Sequence, residues 1–100
     1  MLRLLRVQGN SLQPTYQEGD FVLVAKIPFL MGKLRRGDVV VFDHPVYGTM
    51  IKQVDHIPPE KDEIFVIGTH EFSVDSRDFG PINTNAVIGK VIWHIRTPER

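Results

Sequence analysis

The chain has 100 residues, with 12 Lys+Arg against 12 Asp+Glu, no cysteine and 42% hydrophobic content, enough for one core that buries roughly 60–68% of the unfolded surface. Zero formal net charge excludes a broad electrostatic hold on nucleic acid or an anionic membrane, and the +3 of residues 1–52 against the −3 of 53–100 is too small to name a partner. The absent cysteines exclude a disulfide scaffold, a thiol nucleophile and a Cys-ligated metal, and no apolar run approaches the ~18 residues of a membrane span.

The chain opens with Met1-Leu2-Arg3-Leu4-Leu5-Arg6, too short and too charged for a secretory signal, so a cytoplasmic location is expected. Leu2–Val7 is the first strand-length run. A helical turn is expected over Leu12–Gln17, where Asn10 or Ser11 can cap and Pro14 suits an early helical position. Further runs rich in Val, Ile and Phe come at Phe21–Ile27, Asp38–Asp43, Thr49–Ile57, Glu63–Ile67 and Ala86–Ile95, each bounded by Gly, Pro or Asp. Such runs predict an all-β fold in a single domain over residues 1–100. Val39-Val40-Val41-Phe42 is continuously apolar, as expected of a strand buried on both faces, whereas Thr49–Ile57 comes closer to alternation. The expected loops are Pro28–Arg36, His44–Gly48, Pro58–Asp62 and His70–Asn85, the last about sixteen residues long and unusual in so small a domain unless it has a function.

Three segments hold residues suited to chemistry. In Gly9-Asn10-Ser11-Leu12-Gln13-Pro14-Thr15, a tight bend can expose the Ser11 hydroxyl, or Ser11 can simply cap the turn. In Met50-Ile51-Lys52-Gln53-Val54, an inward Lys52 must find a partner or give up its proton, whereas an outward one is an ordinary edge-strand lysine. In Ser73-Val74-Asp75-Ser76-Arg77-Asp78-Phe79-Gly80, the plain reading of Asp75 and Arg77 is a surface ion pair worth less than about 1 kcal/mol.

Taken together and in order, these segments resemble the peptidases related to type I signal peptidase. That family has a G-x-S-M-x-P-T serine box, a G-D-x-V-L-V strand, an R-G-D-V-V-V-F strand, a K-R-V lysine box, a G-D-N…S-x-D-S-R-x-F/W-G box and a closing G-K-V strand. Here they fall at Gly9–Thr15, Gly19–Val24, Arg36–Phe42, Lys52–Val54, Gly68–Gly80 and Gly89–Val91, covering roughly residues 7–95. Size and the closing Gly89-Lys90-Val91-Ile92-Trp93 look most like the small nickel-type superoxide dismutase maturation proteases within this group. The resemblance implies a compact signal peptidase/LexA-like β-sheet domain with short helical turns.

The same resemblance implies roles. Ser11 is the nucleophile and Lys52 its general base; Ser73 orients the lysine amine, and Asp75 with Arg77 forms a supporting ion pair. The Ser11 backbone N–H serves the oxyanion hole; the second donor falls at Gly9 or Asn10, or on another backbone amide. The chemistry fits the residue types. A free lysine is neutral in only about 0.04% of molecules at pH 7, so the base needs apolar neighbours such as Met50, Ile51 and Val54, and a neutral Ser73 suits it better than a carboxylate. The chain departs from the family pattern in having Leu12 for methionine, Gln53 for arginine and Gly68-Thr69-His70 for G-D-N.

His44, His56, His70 and His94 have no zinc-site spacing and read as surface or hydrogen-bonded residues. The apolar Ile27-Pro28-Phe29-Leu30-Met31 suits core, a groove wall or a dimer contact. The function implied is a serine endopeptidase, needing no cofactor or metal, that binds a protein or peptide precursor as an extended strand and removes a leader. Its best substrate is the N-terminal propeptide of a nickel superoxide dismutase. The alternatives are the catalytic domain of a signal peptidase I, with weak membrane association and secretory signal peptides as substrates, or a non-catalytic peptide-binding relative. A self-cleaving LexA-type repressor needs a DNA-binding domain ahead of the serine, and ten residues precede Ser11 here.

Overall fold

Turn chemistry sets the strand boundaries. At Arg36-Gly37-Asp38, Gly37 takes φ +95°, a region open to glycine at no steric cost. The Asp38 carboxylate accepts the Arg35 amide at 2.9 Å, and Gly37 N–H reaches Val54 O at 2.8 Å. The strand Val39-Val40-Val41-Phe42 starts directly from that turn.

The computed structural model describes residues 2–8, 16–26, 34–59, 62–69 and 73–96. Its strands are β1 (Leu2–Arg6), β2 (Phe21–Ala25), β3 (Val39–His44), β4 (Gly48–His56), β5 (Glu63–Ile67), β6 (Ile82–Asn83) and β7 (Val87–Ile95). One helical turn, α1 (Ser76–Phe79), and a 3₁₀ turn (Thr84–Ala86) precede β7. The strands run in the order β1-β2-β7-β3-β4-β5-β6, every pair antiparallel, so the fold is all-β. No helix among the described residues is long and apolar enough to cross a membrane.

β3 is buried on both faces, with Val40, Val41 and Phe42 at 0%, 3% and 0% exposure. Alternation then splits its side chains between two cores. Val40 and Phe42 pack with Val54, Ile64, Val66, Ile82 and Val87, and Val41 packs with Val7, Val22 and Val24. Gly89 lets β7 lie close to β2, since a Cβ there would stand 2.6 Å from Val24 Cγ1 and 2.7 Å from Ala25 O.

Two expectations change in detail. Val7 leaves β1 to donate to Asp20 O at 2.7 Å and accept from Gly19 N at 2.9 Å, so the strand ends at Arg6. The expected loop at His70–Asn85 holds α1, β6 and the 3₁₀ turn, because local caps organise it: Asp75 caps α1, and Asn83 Oδ1 accepts the Asn85 amide at 2.8 Å. The helical turn expected over Leu12–Gln17 and the apolar Ile27–Met31 lie outside the described residues, save for Tyr16 and Gln17.

Candidate active site

Lys52 is a basic residue that, like the acids Asp20 and Asp75, is buried. It sits in β4 directly opposite Val40 and is 2% exposed, so it is not a solvent-facing edge-strand lysine. Burial pushes its amine below the usual lysine range of 10.5; the Asp75 carboxylate opposes that shift, and the Arg77 guanidinium adds to it.

A cleft of about 630 Å³ opens at this lysine. Leu5, Arg6, Val7 and Gln8 form one side; Thr49, Met50, Ile51 and Lys52 form another; Val22 and Val41 contribute apolar lining, with Ser73 and Val74 beside Lys52. β5 pairs with β4 only from Gln53 onward, so the Gly48–Lys52 half of β4 has β3 as its one sheet neighbour among the described residues.

Ser73 and Val74 are held there by the Asp75–Asp78 segment. Asp75, fully buried, accepts from Gly68 N at 3.0 Å, Arg77 N at 3.0 Å, and Arg77 Nε and Nη2 at 3.0 and 2.6 Å. Burial alone would raise the Asp75 carboxyl, but these donors outweigh it and hold the group at about 2. Its backbone N–H in turn donates to Asp78 Oδ2 at 3.1 Å, completing a capping box. Ser76 Oγ accepts the Val66 amide at 2.8 Å, which pins α1 to β5. The Asp75–Arg77 pair is thus half inside the protein: its carboxylate is buried and its guanidinium side chain is 66% exposed.

Gly9, Asn10 and Ser11 lie outside the described residues; the chain on either side of their segment is firmly held. Val7, before it, bonds to Gly19 and Asp20. Tyr16, after it, stacks on His94 with ring centroids 4.2 Å apart, and burial raises its phenol. His94 Nε2 lies 2.6 Å from the buried Asp20 Oδ2, which also accepts the Gln17 amide at 3.1 Å.

The sequence alone does not single out Ser76, Asp78, Tyr16 or Asp20, and it marks His94 only as a surface or hydrogen-bonded histidine. The first pair has a signal, the cap spacing Asp75-x-x-Asp78. The other three have none, because they come from the end of the serine segment, its following turn and the last strand.

Residues 1–61 match the family described as signal peptidase, peptidase S26. The chain belongs to that family. Members among curated relatives include signal peptidase I V of Bacillus subtilis, 25% identical over 136 residues covering 86% of this chain and 81% of the relative. Signal peptidase I of Bacillus caldolyticus is 24% identical over 135 residues, covering 85% and 74%. Subunit 2 of the mitochondrial inner membrane protease of Saccharomyces cerevisiae is 29% identical over 126 residues, covering all of this chain and 71% of the relative. These aligned lengths exceed 100 residues, so the relatives carry inserted segments that this chain lacks. As a peptidase S26 member it is a serine endopeptidase of the signal peptidase I type.

Proposed function

We propose that this peptidase works through a Ser11/Lys52 dyad and removes a leader or propeptide from a protein precursor. The observation that carries the reading is Lys52: a lysine 2% exposed, its pKa lowered by burial, on the wall of a cleft that Gln8 also lines. Ser11 comes three residues after Gln8, a reach of about 10 Å. The neutral amine takes the Ser11 hydroxyl proton as Oγ adds to the scissile carbonyl. The ammonium then returns the proton to the leaving amine, and water releases the acyl group with Lys52 again as base. The Ser11 backbone N–H, with a donor at Gly9 or Asn10, stabilises the oxyanion. Ser73, which lines the cleft with Lys52, orients the amine, and Asp75–Arg77 holds the Ser73 segment.

The substrate lies as an extended strand between β1 and the Gly48–Lys52 half of β4, backbone pairing giving affinity and apolar pockets giving selection. The preferred substrate is the N-terminal propeptide of a nickel superoxide dismutase, supported by the Gly89–Trp93 wording. A secretory signal peptide is the second reading, favoured by the names of the Bacillus relatives. Incubation with both precursors, with the new N-terminus read by mass spectrometry, tests the proposal. Cleavage by the wild type and none by Ser11→Ala or Lys52→Ala supports the dyad. Cleavage that survives both substitutions overturns it, and the precursor that is cut decides between the two substrates.

A further inference from the structure

The β3–β4 hairpin carries a feature that the dyad does not use. At its tip, His44 Nδ1 accepts the amides of both Val46 and Tyr47, at 3.0 and 3.3 Å. The ring thereby closes the turn as an Asx side chain does. Below the tip, Thr49 Oγ1 donates to Asp43 Oδ1 at 2.8 Å. The His44 ring also packs on Phe79 of α1, centroids 4.6 Å apart, and on Tyr47 at 5.0 Å, with Tyr47 and Phe79 at 6.0 Å.

Tyr47 is therefore an aromatic side chain braced on two sides yet 49% exposed, next to Val46 at 76%, and it lines the same cleft as Lys52. A rigid, half-exposed ring continuous with a binding cleft offers contact area at small entropic cost. Tyr47 immediately precedes β4, five residues before Lys52, and the stretch from Gly48 to Lys52 spans about 13 Å at the rise of a strand. An extended substrate alongside has the same rise, so it meets Tyr47 about five residues from the bond that is cut.

The geometry points to Tyr47, braced by His44 and Phe79, as a distal specificity residue that selects an apolar side chain of the precursor about five residues from the scissile bond. The inference rests on the protease reading for where the bond lies. It concerns selection remote from the dyad, and it adds a length requirement: precursors too short to reach Tyr47 forgo the contact.

Synthetic peptides sharing the junction residues of the preferred precursor test it. One spans three residues on each side of the bond; the others extend to six, with leucine or aspartate at the fifth position on one side or the other. The wild type is expected to favour one long leucine peptide about tenfold through KM, the size that covering one aromatic ring yields. Tyr47→Phe keeps the preference and Tyr47→Ala brings it near unity. His44→Ala weakens it, and His44→Asn, whose side-chain oxygen accepts the same amides, restores it. The same peptides are titrated by fluorescence anisotropy onto Lys52→Ala with and without Tyr47→Ala, circular dichroism confirming the fold. A Tyr47-dependent length preference in binding without cleavage by the wild type leaves the subsite standing and overturns the protease reading. A preference that survives Tyr47→Ala, or no preference for leucine at any distance, overturns the subsite whatever is cleaved.

Discussion

Lys52 stands directly across the β3–β4 ladder from Val40, and the two residues are 2% and 0% exposed. An ammonium at that position is costly, and this gives its linkage to stability a definite sign. The folded pKa lies below 10.5, so the unfolded chain binds more protons between the two values. The destabilisation is full below the folded pKa and fades as pH rises toward 10.5. Lys52→Met is therefore expected to abolish cleavage while raising stability at pH 7 by on the order of 1 kcal/mol. Urea unfolding at pH 7 and pH 10 checks it: the gain should shrink at the higher pH, and a destabilised variant at pH 7 would contradict the account.

Arg77 tunes the same amine from the surface. Asp75 raises the Lys52 pKa and Arg77 lowers it, so removing the guanidinium leaves the carboxylate uncompensated. Arg77→Gln should move the rising limb of kcat/KM against pH to higher pH, with the largest loss at neutral pH and recovery in alkali. A profile that falls evenly at all pH values would mean that Arg77 acts through packing alone.

Asp75 serves structure first. Asp75→Ala removes the acceptor for Gly68 N and Arg77 N and should cost about 1–3 kcal/mol, the penalty for leaving such donors unmet. The wild-type contribution of this carboxylate is present above the unfolded value of 3.8 and is lost as pH falls through about 2. Thermal unfolding of wild type and variant between pH 7 and pH 2 should show their difference narrowing in acid.

Gly89→Ala should destabilise by about 1–3 kcal/mol, because the added methyl would meet Val24 Cγ1 at 2.6 Å and the Ala25 carbonyl oxygen at 2.7 Å. The oxygen is backbone and cannot swing away. A chevron plot or urea midpoint measures the loss; an unchanged midpoint would show that β2 and β7 can part locally.

The sheet was legible where a single residue decides its own neighbourhood. Val39–Phe42 announces a doubly buried strand, and Gly37-Asp38 announces the turn before it. Five of the six expected strand runs have boundaries within two residues of β1, β2, β3, β4 or β7, and the sixth coincides with β5. α1 and β6 escaped because their polar residues look like loop until a cap such as Asp75–Asp78 is scored for its spacing. At the site, the resemblance implies the role of Lys52, but its environment depends on partners that local sequence does not reveal: Val40 across the hairpin and Asp75 and Arg77 from a distant segment. The Asp20–His94 contact joins residues 74 positions apart, a separation that no local pattern encodes.

The two backbone bonds joining Val7 to Gly19 and Asp20 have an engineering consequence. They staple the points where the chain departs from the sheet and returns to it, so the stretch between is a cassette with fixed sockets. A segment exchanged between Gln8 and Tyr16 would therefore stay anchored at both ends, Tyr16 keeping its stack on His94, so that variants of the proposed serine box are compared against one unchanging lysine.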